Sequence, residues 1–297
     1  PSAKLLATLT DLGAKNVYII GGTGVVTEAM EKELAKTYKV ERIAGDAKDG
    51  RYGTNAAVAK KVIEKTKATE GILVSAEGYA DALSVASIAA TKGMPVLFAN
   101  KNEVPAVVKD AAKDMKKVMA VGGEGVLPDA VLKAVNAERI AKGADRFETN
   151  LTVLKHFGAD LKFDNIFVAA GGDDSKSKFA DALVASAAAA KFGAPVVLSG
   201  LGANETRVKE ANKFVKDHMG DNTKVTIVGG EASVSKDIEN ELSGNKASTG
   251  KAEVQSVEAI NLNQIKVVFG EKIDEDTAED VKNYELDGTQ LIGEDKD

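Results

Sequence analysis

Tyr79-Ala80-Asp81-Ala82-Leu83 returns a hundred residues later as Phe179-Ala180-Asp181-Ala182-Leu183. The register holds beyond it, with Gly93 answering Gly193 and Pro95 answering Pro195. Each copy follows an apolar run (72–75, 166–169) and leads through an alanine-rich segment into a second run (95–98, 195–198). A fixed long period means one folding unit used more than once. The chain reads as a tandem repeat.

Further along, the glycine pairs Gly21-Gly22, Gly122-Gly123 and Gly229-Gly230 recur at a similar spacing. Each follows helical spacing (2–12, 104–115, 205–219) and a short apolar run (16–20, 117–121, 224–228), and each precedes a helix pattern opening near Thr27, Pro128 or Ser235. These three ends define two full repeats, 38–135 and 136–244, and leave 1–37 as the C-terminal part of an incomplete first one. Completing that unit is expected to require a preceding segment or a partner chain.

Each full repeat opens with a second signature. Arg42-Ile43-Ala44-Gly45 leads to Arg51-Tyr52-Gly53-Thr54-Asn55, and Arg139-Ile140-Ala141 leads to Arg146-Phe147-Glu148-Thr149-Asn150. Thr54 and Thr149 stand just before helical patterns over 56–65 and 151–157, so each is expected as an N-cap. Strands alternating with helices imply βαβ units and a mostly parallel sheet covered on both faces. Beyond Gly244 the pattern changes. Residues 245–251 read as a polar linker, and 252–297 as a short all-β segment whose runs 253–260 and 264–269 alternate with period two. An acidic helical turn or loop is expected over 274–283.

The 297 residues suffice for two or three units with cores of their own. Cysteine is absent, which removes disulfides, thiol nucleophiles and thiolate metal sites together. No apolar run approaches bilayer-spanning length. The net charge of −6 sits in the tail, where five Lys face thirteen Asp and Glu from Lys251 onward. The repeat region is near neutral, so an anionic partner requires a local basic cluster.

The Arg-Ile opening, the (Tyr/Phe)-Ala-Asp-Ala-Leu centre, the Gly-x-Pro-Val strand entry and the closing glycine pair together resemble the clostridial cell-wall-binding repeat, type 2, over roughly residues 1–243. The resemblance implies tandem Rossmann/Toprim-like α/β repeats in a pseudo-threefold arrangement. It also implies non-covalent anchoring of a surface or S-layer protein to an anionic polysaccharide of the Gram-positive cell wall. The expected location is extracellular, in the wall or S-layer. The expected partners are that polysaccharide and copies of the chain in a surface lattice, with neither nucleic acid nor membrane insertion. The tail resembles the start of a bacterial immunoglobulin-like domain. Two departures stand out: the first repeat lacks its Arg opening, and the strand after the proline, often Ile-Leu-Leu in that family, reads Val96-Leu97-Phe98 and Val196-Val197-Leu198.

Arg42, Arg51, Arg139 and Arg146 are the expected polymer contacts, because a guanidinium fork donates two parallel hydrogen bonds to phosphate or carboxylate and stays charged. Thr54 and Thr149 would bring helix N-termini beside them. Lys48, Lys60, Lys61, Lys142 and Lys155 would widen the patch. The competing reading has the same arginines bridging repeats through Asp81, Asp181 or backbone carbonyls, since recurrence suits structure as well as binding. Asp81 and Asp181 read as first-turn helix charges.

The glycine pairs lack the full GxGxxG pattern and any following Lys-Ser/Thr, so they read as tight turns. His156 and His218 have no ligand spacing, no serine sits in a nucleophile elbow, and neither cofactor nor metal is expected. The expectation is therefore a binding protein and not an enzyme. The alternatives are a Rossmann-like enzyme handling a nucleotide or phospho-ligand, and a two-lobed solute-binding protein.

Overall fold

Among the described residues six strand pairings hold the repeat region together, and all six are parallel. The computed structural model describes residues 1–172 and 179–243, and beyond them strands 254–261, 264–269, 285–286 and 289–290. The chain divides into two compact units, Pro1–Ser243 and Gly244–Asp297.

The first unit opens with α1 (Ala3–Asp11), β1 (Asn16–Ile20), α2 (Glu28–Ala35) and β2 (Lys39–Ile43). It continues through α3 (Gly50–Thr66), β3 (Glu70–Ser75), α4 (Ala80–Lys92), β4 (Val96–Ala99), α5 (Ala106–Ala112), β5 (Lys117–Val121), α6 (Asp129–Lys133) and β6 (Ala137–Ala141). The next copy runs α7 (Arg146–His156), β7 (Asn165–Ala170), α8 (Ala180–Phe192), β8 (Val196–Ser199), α9 (Glu205–His218), β9 (Lys224–Val228) and α10 (Lys236–Leu242). Three sheets result, with strand orders β1-β2, β4-β3-β5-β6 and β8-β7-β9.

Strand pairing is offset from the sequence period. β2 and β6 stand at the openings of the repeats bounded at 38 and 136, yet each pairs with the last strand of the repeat before it. The reason is local. A helix of one to two turns after β1 or β5 is just long enough to return the chain parallel along that strand's free edge.

The central strands are buried on both faces. Ile72, Leu73 and Val74 of β3 and Ile166 and Ala169 of β7 have no exposed surface, as expected of parallel strands sandwiched between helices. α4 and α8 end at Gly93 and Gly193, with φ of 66° and 65°. In that left-handed conformation glycine avoids the Cβ penalty while its N–H closes the last turn. Alanines at positions 182, 185 and 189 are fully buried and let α8 pack closely on β7 and on α4. One apolar cluster joins Ile72, Val85 and Ile88 of the first full repeat to Leu154, Ile166 and Phe214 of the second. The two repeats share a core.

In the second unit β10 (Val254–Asn261) pairs antiparallel with β11 (Gln264–Phe269), and β12 (Glu285–Leu286) with β13 (Thr289–Gln290). The alternating runs near 253–260 and 264–269 are thus strands. Two short antiparallel pairs occur in many β folds and do not assign an immunoglobulin-like one. The linker 245–251 and the acidic segment 274–283 lie outside the described residues.

Candidate functional site

The expected contact residues fall into three structural classes. The strand arginines close turns. Arg42, on β2, donates from Nε to Glu31 Oε2 at 2.8 Å, from Nη1 to the Gly21 carbonyl at 2.7 Å and from Nη2 to the Val26 carbonyl at 2.8 Å. Arg139, on β6, repeats the arrangement. Its Nη1 donates to the Gly122 carbonyl, and its Nη2 to the Leu127 carbonyl at 2.7 Å and to Asp129 Oδ1 at 2.6 Å. Their side chains are 15% and 12% exposed. The glycine-pair turn leaves backbone carbonyls converging on one spot, and a planar fork satisfies several at once. The Arg139 hydrogen bond also holds the Asp129 carboxyl below the usual carboxylate range. Both forks are committed internally.

The helix arginines behave differently. Arg51 and Arg146 stand in the first turns of α3 and α7 and reach the carboxyl ends of β3 and β7. Arg51 Nη1 donates to the Ala76 carbonyl at 2.8 Å, and Arg146 Nη1 to the Gly171 carbonyl at 3.1 Å. Arg51 is exposed and Arg146 half-buried. This is the end of a parallel sheet where loops gather and ligands usually bind.

The threonines do not cap. Both helices begin earlier than the apolar spacing suggests, α3 at Gly50 and α7 at Arg146, so Thr54 and Thr149 lie inside them. Thr149 is 3% exposed and packs inward. The true cap of α7 is Asp145, whose Oδ1 accepts from the Phe147 and Glu148 amides at 3.0 Å each, while Glu148 Oε2 accepts from the Ala144 amide at 3.1 Å. Asp145-x-x-Glu148 is a capping-box pattern visible in the sequence. Arg207 locks it, donating to Asp145 Oδ2 and Glu148 Oε2 at 2.7 Å each.

The asparagine of each opening signature also has a structural task. Asn55 Nδ2 donates to the Val96 carbonyl at 2.8 Å, and its Oδ1 accepts from the Phe98 amide at 2.9 Å. Asn150 does the same for Val196 and Leu198, at 3.1 and 2.9 Å. The side-chain amide substitutes for a further strand along the edges of β4 and β8, which the sequence reading missed.

At the seam between the full repeats, Asp81 in the first turn of α4 lies within electrostatic reach of Arg146 and Arg139. Burial raises its carboxyl to about 6 against the pull of both guanidinium groups. A Cβ built at Gly122 (φ 121°) would meet Asp81 Oδ2 at 2.4 Å, and one at Gly229 (φ 128°) would meet Asp181 Oδ2 at 2.7 Å. In the two full repeats the glycine pair therefore cradles the aspartate of its own repeat.

Nearby, α3 and α4 line an apolar groove of about 610 Å³ with Val58, Val62, Leu83, Ala86 and Met94, and no arginine faces it. Its walls suit aliphatic side chains and not a polyanion. His218 Nδ1 lies 2.8 Å from the Phe214 carbonyl, and its ring stacks on Phe163. Among the described residues no group of His, Asp and Glu is placed to hold a metal. No described helix is long and apolar enough to cross a membrane.

The chain is 27% identical over 237 residues to the N-acetylmuramoyl-L-alanine amidase LytC of Bacillus subtilis, covering 79% of this chain and 44% of that protein. It is 25% identical over 287 residues to the amidase enhancer of the same organism, covering 94% of this chain and 37% of that one. The chain thus spans less than half the length of the curated relatives it matches. Among solved structures, Cwp8 from Clostridium difficile superposes with a TM-score of 0.63 at 27% identity, covering 79% of this chain and 38% of that one. Cwp6 from the same organism shares the fold, with a TM-score of 0.65 at 23% identity, covering 81% of this chain and 38% of that one. Residues 42–132 and 139–239 each match cell wall binding domain 2, and the chain belongs to this CWB2 family.

Proposed function

We propose that the chain anchors a surface protein non-covalently to an anionic polysaccharide of the Gram-positive cell wall, as in an S-layer, outside the cell. The observation that carries the reading is the CWB2 match across both full repeats. Within it, Arg51 and Arg146 are the contact residues, standing at the carboxyl ends of β3 and β7 on the first turns of α3 and α7. Arg42 and Arg139 shape the turns beside them, and Thr54 and Thr149 serve the helix interiors. Two equivalent sites on one polymer give avidity, so modest contacts per site suffice. Copies of the chain along one polymer would favour a lattice. The names of the two longer relatives concern an amidase and an amidase enhancer; the part proposed for this chain is to hold and not to cleave.

Retention on purified wall polysaccharide across a salt series tests the reading. Exposed charges are screened beyond about 8 Å at physiological ionic strength, so retention falls as salt rises, and falls further in Arg51→Ala and Arg146→Ala. Retention indifferent to both would remove the arginines from the mechanism.

A further inference from the structure

Strands β1, β5 and β9 are equivalents, each ending in a glycine pair, but among the described residues only two of them carry a strand on the outer edge. β1 is paired by β2 and β5 by β6, in the same parallel sense. In both cases the first glycine amide donates across the pair, from Gly21 to the Ile43 carbonyl at 2.9 Å and from Gly122 to the Ala141 carbonyl at 3.0 Å. In both, the added strand's arginine forks onto the turn. β9 pairs with β7 alone among the described residues.

The edge shows the difference. Val118 to Gly122 are buried, whereas Val225 to Val228 are only half-buried and Gly229 is exposed. The Lys224 amide points to the Asp164 carbonyl on the β7 side. By strand alternation, the Val225, Ile227 and Gly229 amides then face outward. A depression of about 440 Å³ runs along this edge, between Val225, Ile227 and Gly229 on one side and Glu239 and Leu242 of α10 on the other.

The acceptors of the arginine fork also recur at matching offsets. Val26 and Leu127 each follow the first glycine by five residues, as Val234 follows Gly229, and Glu239 stands at the offset of Glu31. Among the described residues no side chain donates to the Gly229 or Val234 carbonyl, and Glu239 pairs only with exposed Lys236.

We propose that the outer edge of β9 is an acceptor for one parallel strand of the β2 and β6 type, an extended Glu-Arg-Ile segment whose arginine forks onto the Gly229 and Val234 carbonyls and Glu239. A second copy's β2 or β6 does not supply it, because those arginines are already committed to their own turns. The occupant is a strand whose arginine is unspent. This inference rests on strand pairing alone and does not depend on the polysaccharide reading.

The test adds a synthetic peptide of residues 38–46 to the intact chain and follows amide hydrogen exchange. Saturable protection of the Val225, Ile227 and Gly229 amides is expected, with an Arg42→Ala peptide binding about tenfold or more weakly, since its charged hydrogen bonds are lost. Three outcomes overturn the proposal. One is no protection at millimolar peptide, and another is equal binding by the Arg42→Ala peptide. The third is an edge already protected without peptide, which would assign it to the chain itself or, if protection grows with protein concentration, to a second copy.

Discussion

Tyr79 and Phe179 stack with ring centroids 4.0 Å apart and planes inclined by 22°. They are equivalent residues of successive repeats, each just before its alanine-rich helix, so the contact joins like to like across the seam. Tyr79 is half-exposed, so its ring contributes through this partner more than through burial. A double-mutant cycle on Tyr79→Ala and Phe179→Ala, read by urea unfolding, is expected to give a coupling of about 0.5–1.5 kcal/mol. Additive single effects would show that the stack contributes nothing of its own.

The two classes of arginine separate in experiment. Arg139→Ala strips donors from the Gly122 and Leu127 carbonyls and is expected to cost about 2–3 kcal/mol of stability, because charged hydrogen bonds to buried groups are lost. Arg51→Ala removes one hydrogen bond, from an exposed side chain to the Ala76 carbonyl, and is expected to cost less, about 1 kcal/mol. Its effect is expected on polysaccharide retention. Chemical denaturation and retention assays on the same two variants check the division.

Asn150→Ala removes both partners of a buried edge strand, the donor to Val196 and the acceptor from Leu198. Asn150 has no exposed surface, so water does not replace it. Two unsatisfied backbone groups are expected to cost about 2–4 kcal/mol. Thermal unfolding measures it, and Asn150→Asp, which keeps only the acceptor, should lose nearly as much.

Asp81 makes stability depend on pH in an unusual direction for a carboxylate. Its folded value stands near 6, above the ordinary 3.8, because burial penalises the charged form. The folded state therefore binds the proton more tightly, and the contribution is full below the unfolded value and lost as pH rises through the folded one. Between pH 3.8 and about 6 this group lowers stability by about 2–3 kcal/mol as pH rises. Asp81→Asn is expected to flatten that part of the profile of unfolding free energy against pH.

Gly122→Ala tests the cradle. The new methyl would meet Asp81 Oδ2 at 2.4 Å on a backbone with φ of 121°. Steric clash and a conformation that L-residues rarely adopt both oppose it, so a loss of about 2 kcal/mol or more is expected. Gly123→Ala, with nothing within 4 Å of the added carbon, should be far milder. Calorimetric melting of the pair distinguishes a specific contact from a general dislike of substitution in the turn.

The sequence alone determined the repeat, the alternation of strand and helix and the parallel sheets, because each is written locally. Apolar runs without alternation need cover on both faces. The helix starts near Ser2 and Thr27 were legible for the same reason; that both side chains cap their helices is a finding of the structure. The start of α7 was legible too, in Asp145-x-x-Glu148, but the apolar period drew the boundary later. Which partner each recurring polar residue meets was decided only by the tertiary structure. Arg42 and Arg51 look alike on paper. One lies on a strand beside a turn whose Gly21 and Val26 carbonyls it satisfies, and the other opens a helix at the carboxyl end of β3. Asn55 and Asn150 clasp strands more than 40 residues further along. Those partners meet only when the sheet forms, so spacing along the chain carries no trace of the contact.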